Sequence, residues 1–285
     1  MCDQDYMNEL VPGAWSRREF GKVGLGAGLL AMLPKVVNAA EVAESEVMIK
    51  TPDGNCDAHF VHPVSGAHAA VLVWPDIFGL RPAFETMGKR LAESGYAVLT
   101  VNPFYRLQKA PTSASTSMAG DARNKLFEMM NSLTPEGEVS DAKAFIAWLD
   151  KQKAVDTNKK VGTTGYCMGG PMVLRTAGAV PERVGAAATF HGASLTTEDP
   201  SSPHRSIAKS KASYLICIAD GDDQRDPTSK DILRKTFADA KLSAEVEVYK
   251  GAQHGWCAID TQAYNKEQAE KAWARQLALF SKTLV

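Results

Sequence analysis

Apolar positions in this chain fall into two registers that alternate along its length. Residues 69–74 form an unbroken apolar run, the pattern of a strand covered on both faces, and residues 96–101 read as the next buried strand. Between them, residues 82–94 read as a helix, with Pro82 in the first turn and Gly95 as its stop. Helix-like stretches follow at 118–131 and 137–151, then a short β-prone run at 160–164 and a helix-compatible run at 168–179. Strands are expected at 184–190, 212–219 and 244–249, and helices at 228–240 and 263–282. Upstream, residues 47–50 and 56–62 flank a turn-rich linker at 51–55, which predicts an N-terminal β-hairpin. Alternation of this length predicts an α/β protein: a mostly parallel, doubly wound sheet with helices on both faces. Binding chemistry in such sheets gathers beyond the carboxyl ends of the strands.

The first forty residues break this pattern. Ser16-Arg17-Arg18-Glu19-Phe20 resembles a twin-arginine export motif. A modest apolar run follows at 23–33, too short to span a bilayer securely, then Lys35 and a small-residue cleavage pattern at Val37-Asn38-Ala39. The expectation is a cleaved leader at 1–39 and one domain at 40–285, exported folded by the twin-arginine machinery to the periplasm with no stable membrane anchor. The alternative is an amphipathic arm that stays in the cytoplasm. Gly24, Gly26 and Gly28 belong to the leader and follow no strand, so they are not a dinucleotide loop. A net charge of −1 removes the bulk electrostatic case for nucleic acid or an anionic membrane as partner. With no metal-ligand cluster and no nucleotide loop, neither a metal nor a cofactor is expected. Cys56, Cys167, Cys217 and Cys257 remain after the leader, too sparse for a disulfide framework. Cys217 reads as a core filler, and Cys257, three residues beyond His254, as a possible neighbour of Cys167. His59 and His62, three apart on a strand, face opposite ways and read as exposed polar residues rather than a metal pair.

Chemistry concentrates at Gly165-Tyr166-Cys167-Met168-Gly169-Gly170. A β-prone run precedes it and a helix follows, the setting of the G-x-nucleophile-x-G elbow of α/β-hydrolases, with Cys where Ser is commoner. The spacing has a steric cause: the chain crowds itself two residues either side of a strained nucleophile, where only Gly or a very small residue fits. The helix beginning at Met168 aims its first amides at Cys167, favouring a thiolate and a developing oxyanion. Without further support the same hexapeptide could hold a buried structural Cys. Support comes downstream, in the nucleophile–acid–base order of α/β-hydrolases. Asp220-Gly221-Asp222-Asp223 follows one buried strand, and Gly251-Ala252-Gln253-His254-Gly255-Trp256 follows the next.

From about residue 47 to the end, the chain resembles the dienelactone hydrolase (carboxymethylenebutenolidase) family. Val73-Trp74-Pro75-Asp76-Ile77-Phe78-Gly79-Leu80 is similar to its E-I-F-G segment, and residues 165–170 to its G-Y-C-x-G-G elbow. Gly221-Asp222-Asp223 with Pro227 resembles the acid loop and selects Asp223 over Asp220, Asp222 and Asp226; Ala252 to Trp256 resembles the G-H-x-F base loop. The resemblance implies an α/β-hydrolase fold and a Cys167–His254–Asp223 triad, with Met168 and Ile77 backbone amides as the oxyanion hole. It further implies cleavage of small esters or lactones through a thioester acyl-enzyme.

Two departures bear on substrate. Asp76 stands where the family has a thiol-controlling Glu, one methylene shorter. Of the family's two carboxylate-binding arginines, Arg106 lies near the first position, and Ala258 occupies the second. Arg81 or Arg225 could substitute as substrate-binding groups, although surface arginines serve no such purpose more often. His191, at the end of a strand, either lines the acyl pocket or is a satisfied buried His. The polar stretch 106–117 reads as a rim or lid. A thioesterase or general esterase on the same triad is the nearest rival reading. A thiol-redox or binding protein on a non-hydrolytic scaffold is the rival from another class.

Overall fold

A computed structural model describes residues 33–113, 116 and 119–285. The proposed leader, including its arginine pair and apolar run, lies outside the described residues except for 33–39. The eight strands are β1 (Val42–Thr51), β2 (Gly54–Pro63), β3 (Ala70–Trp74), β4 (Ala97–Val101), β5 (Val161–Tyr166), β6 (Val184–Phe190), β7 (Ser213–Ala219) and β8 (Ala244–Tyr249). They form one sheet in the order β1-β2-β4-β3-β5-β6-β7-β8. β1 pairs antiparallel with β2 and β2 antiparallel with β4, while every pairing from β4 through β8 is parallel. The unbroken apolar runs are the central strands, as their composition requires. All residues of β3, β4 and β5 are buried.

Each central strand divides its side chains between two cores. In β3, Ala70, Leu72 and Trp74 join the cluster around Phe145 and Leu149, while Val71 and Val73 join that of Phe84 and Trp256. Helices cover both faces: α1 (Pro82–Glu93), α2 (Gly120–Asn131), α3 (Pro135–Leu149), α4 (Gly169–Ala179), α5 (Asp220–Arg225), α6 (Ser229–Asp239) and α7 (Lys266–Thr283). Thr134 caps α3 by accepting the Gly137 amide at 3.1 Å, and Asn265 caps α7 by accepting that of Gln268 at 3.2 Å. Among the described residues no helix is long and apolar enough to cross a membrane.

Three local expectations need correction. The hairpin is tighter than a five-residue linker: Thr51 pairs directly with Gly54, and the Thr51 hydroxyl donates to Gly54 O and accepts the Asp53 amide. His59 is buried rather than exposed, with Nε2 3.4 Å from Glu44 Oε2, whereas His62 bonds its own strand end at Pro63 O. The acidic segment after β7 is the single helical turn α5, not an open loop.

Candidate active site

The site is built at the end of β5, where the chain must reverse into α4. Cys167 sits there with φ of 52°, in the left-handed region that costs a residue with a Cβ about 1–2 kcal/mol. Its neighbours explain how the strain is held. The Cys167 amide donates to Phe190 O at 3.1 Å, and its carbonyl accepts the amides of Gly170 at 3.0 Å and Ala193 at 3.1 Å. The glycine spacing has the steric cause its pattern suggests. A Cβ on Gly165 would lie 2.4 Å from Gly169 O, and one on Gly169 would lie 2.3 Å from Trp74 O. No side chain fits either gap. The second contact also brings the end of β3 against the elbow, carrying the turn that holds Ile77.

In that turn Asp76 accepts the Phe78 amide at Oδ1, and its carbonyl accepts the Gly79 amide. Ile77 lies inside this turn, between Asp76 and the two residues whose amides Asp76 accepts. Both Ile77 and Met168 are buried, flanking the elbow from β3 and from the start of α4.

The base loop arrives from the far side. The Asp220 amide bonds Ala252 O at 2.9 Å, Asp220 Oδ2 accepts the Gly251 amide, and a Cβ on Gly221 would lie 2.9 Å from Gln253 Oε1. With backbone locked to backbone there, the next residue of α5 points at the imidazole: His254 Nδ1 lies 2.8 Å from Asp222 Oδ2. The carboxylate that meets His254 is therefore Asp222, not Asp223. Successive side chains in a helical turn point about 100° apart, so two adjacent aspartates cannot share one target. Asp223 turns instead to Lys230 on α6, with both oxygens within 2.8 Å of Nζ. Cys167 is the other group that acts electrostatically on the His254 ring. Burial opposes charge on this imidazole, but the charges of Asp222 and Cys167 outweigh it and raise its pKa to about 10. His191 packs edge-to-face on His254, ring centroids 4.8 Å apart, and on Trp256 at 5.2 Å. Burial, with the His254 charge, holds it well below the usual histidine range, so it is a neutral wall of the site.

The remaining sequence candidates are committed elsewhere. Arg81 is buried, and its five N–H donors are all engaged. Nη1 and Nη2 grip Asp76 at 2.7 and 3.0 Å, Nε and Nη2 grip Asp260 at 2.7 and 2.9 Å, and Nη1 also reaches Gly79 O. Neither Arg81 as a substrate clamp nor Asp76 as a thiol partner survives this geometry. Asp76 holds its own turn and Arg81 together, and Arg81 ties that turn to the base loop through Asp260. Arg106 bonds Asp141 through Nη1 and Nη2 at 2.7 and 2.9 Å and Asp53 through Nη2 at 2.6 Å, tying the hairpin to α3. It is not a rim arginine awaiting a carboxylate. Arg225 lies 3.8 Å from Asp222 on α5. The 106–117 stretch is pinned where described, by Thr112 to Phe78 O and Thr116 to Asp260 O.

Cys56, Cys167, Cys217 and Cys257 are all free thiols. Cys217 is a core filler, and Cys257 packs in its cluster rather than in that of Cys167. Burial pushes the thiols of Cys56, Cys217 and Cys257 up, away from reactivity. Cys56 and His59 occupy opposite faces of β2, the thiol donating to Asn102 O and the imidazole facing Glu44, so they form no second dyad.

Known proteins share this fold and resemble this sequence. The chain is 26% identical over 240 residues to carboxymethylenebutenolidase of Rhodococcus opacus, covering 82% of this chain and 90% of that one. Among solved structures, a Klebsiella pneumoniae protein assigned provisionally as a dienelactone hydrolase superposes with a TM-score of 0.74 at 21% identity, over 85% of this chain and 99% of that one. A dienelactone hydrolase-like promiscuous phosphotriesterase from metagenomic libraries gives 0.69 at 22%, over 86% and 99%. The family profile for dienelactone hydrolases matches residues 56–284, from the second sheet strand to the end of the last helix. With a family match over that span and relatives aligned along most of their length, this chain belongs to the dienelactone hydrolase family.

Proposed function

We propose that the protein cleaves small carboxylic esters or lactones through Cys167, His254 and Asp222. The observation that carries this reading is the His254 ring, 2.8 Å from Asp222 at Nδ1 and under the electrostatic influence of Cys167, a residue held at φ of 52°. With Nδ1–H donated to Asp222, Nε2 is the nitrogen that exchanges a proton with the thiol. The sulfur attacks the carbonyl carbon while His254 holds the thiol proton, and the amides of Met168 and Ile77 bind the oxyanion. Collapse expels the alkoxide, which takes the proton from His254 and leaves a thioester on Cys167. Water, deprotonated by His254, attacks the thioester, and the carboxylate product departs as the thiol re-forms. Asp222 keeps the imidazole in the required tautomer throughout.

A thioesterase would use the same groups, and substrate choice decides between them. A redox role fits less well, because sensor thiols are exposed and need no oriented base, whereas Cys167 is buried against one. The test is a panel of p-nitrophenyl esters, dienelactone and small thioesters given to wild type, Cys167→Ala and His254→Ala. Loss of turnover by about 10³-fold or more in both variants is expected. Turnover that survives in both removes the assignment, and reversible oxidation of Cys167 without turnover favours the redox role.

Export is the second part of the proposal. The Arg17-Arg18 motif, the apolar run and the Ala39 site support a leader removed near residue 39 and a periplasmic address for residues 40–285. Cell fractionation of wild type and an Arg17→Lys, Arg18→Lys variant tests it. Equal distribution of the two between periplasm and cytoplasm would reject twin-arginine export.

A further inference from the structure

A cleft of about 290 Å³ opens beside the elbow. Met168 and Arg175 line one wall, on the face of α4 that follows the nucleophile. Glu138 of α3 stands opposite, and Ser194, Thr197 and Asp199 of the β6–β7 connection close the third side. Two of these residues abut the reacting position. Met168 follows Cys167 directly, and Ser194 follows Ala193, whose amide bonds the Cys167 carbonyl at 3.1 Å. The volume is at the small end for ligand sites, room for a compact acyl or alkyl group.

The charge in the cleft is already balanced. Arg175 Nη1 lies 2.6 Å from Glu138 Oε2, with Nη2 on Ser201 O at 3.2 Å, and both side chains are largely buried, 12% and 10% exposed. Asp199 adds a second carboxylate at the rim. A substrate carboxylate entering here would meet Asp199 and could reach Arg175 only by displacing Glu138, leaving a buried carboxylate without its partner. Arg81 and Arg106 offer no alternative, being held by Asp76, Asp260, Asp141 and Asp53. What the cleft does offer is an apolar lining from Met130, Leu133, Pro135, Met168, Pro171 and Pro203, beside hydroxyls that Asp199 and His204 already engage, a surface for a neutral body.

We propose that this cleft holds the non-reacting part of the substrate and that this part is uncharged, so the enzyme takes neutral esters or lactones rather than carboxylate-bearing ones. The proposal rests on the hydrolase reading above for its chemistry, but its selectivity can be measured without turnover. The probes are a matched pair, the p-nitrophenyl ester of monomethyl succinate and that of succinate with its second carboxylate free. Wild type should show at least a tenfold higher kcat/KM on the neutral ester. Calorimetric titration of the same pair onto Cys167→Ala should show the same preference in Kd. Glu138→Gln, or Asp199→Asn at the exposed rim should the first fail to fold, should move that ratio toward the carboxylate ester by about tenfold and threefold respectively. Equal or tighter binding of the carboxylate ester, no binding of either ester, or a ratio unmoved in the folded variants would overturn the proposal. Failure of turnover with the binding preference intact would instead count against the hydrolase mechanism alone.

Discussion

Two clusters of buried charge lie at the carboxyl end of this sheet, and they are built differently. In the first, His254 stands between one carboxylate and one sulfur, Asp222 and Cys167, and the sulfur rides on a strained residue. In the second, Arg81 is enclosed by Asp76 and Asp260, and each guanidinium N–H has an acceptor. The contrast separates a site that can act from one that can only hold. The imidazole of His254 can gain and lose a proton, as the role proposed for it beside Cys167 requires. Arg81 stays charged throughout, so its cluster stores no chemistry; it fixes the turn after β3 against the segment after β8. Burial pushes the Asp76 carboxyl up and Arg81 pulls it back, which makes the pair mutually dependent. Charge alone, read along a sequence, marks both clusters equally. Saturation of the donors is what distinguishes them.

The largest effect that can break this comparison lies in the first cluster. Asp222→Asn should lower kcat on p-nitrophenyl acetate by about 10²–10⁴-fold, since an amide no longer enforces the imidazole tautomer. Asp223→Asn should change it less than about threefold, because Asp223 serves Lys230. The reverse outcome in steady-state kinetics would return the acid to Asp223 and show that α5 turns by one residue when the enzyme works.

These two aspartates also show where sequence reading stops. The elbow could be read in advance because its glycines answer a local crowding, 2.4 Å from Cβ to carbonyl, that any chain turning there must meet. The parallel strands could be read because double burial leaves no polar position in β3 and only Thr100 in β4. The choice between Asp222 and Asp223 depends on the helical phase of a six-residue turn, set by Asp220 and Gly221 abutting residues 251–253. Similarity to the family's acid loop selects Asp223, whereas the carboxylate beside His254 is that of Asp222. The arginines were illegible for a different reason. The partners of Arg81 and Arg106 lie 179 and 35 residues away, in Asp260 and Asp141, and no spacing rule links them.

The second cluster should answer in stability first. Arg81→Met leaves Asp76 and Asp260 buried without a counter-charge and should destabilise the fold by about 3–5 kcal/mol in urea titrations. Activity should fall as well, through kcat rather than KM, because the Ile77 amide loses its anchor to the base loop. A variant as stable as wild type would mean that the cluster is dispensable.

A pH series sharpens the contrast further. The folded pKa of His254, about 10, lies above the ordinary value of 6.5. Its protonated form therefore contributes stability that is complete below pH 6.5 and is lost as pH rises toward 10. Asp222→Asn removes the chief favourable cause. The stability gap between wild type and this variant should be on the order of 1–3 kcal/mol at pH 6 and shrink steadily toward pH 10. The gap between wild type and Arg81→Met should run the opposite way and widen as pH rises, since without the guanidinium the buried Asp76 carboxyl is tolerated only when protonated. A flat gap for Asp222→Asn would mean that His254 is not held protonated by that carboxylate.

The smallest effect is expected at Arg106, the residue that family resemblance favours most as a carboxylate clamp. Its guanidinium joins Asp141 on α3 to Asp53 in the hairpin turn, and Tyr105 completes the link by donating to Asp141 Oδ1 at 2.7 Å. Arg106→Met should cost about 1–2 kcal/mol, less than a fully buried pair because the side chain is 24% exposed. Tyr105 also remains to serve Asp141. Its kinetic signature should be nearly blank, with kcat/KM changed less than about twofold, and equally for neutral and carboxylate-bearing esters. A loss confined to the carboxylate-bearing ester would show that Arg106 leaves Asp141 to meet substrate. The guanidinium would then belong with His254, among groups that exchange partners during turnover, rather than with Arg81.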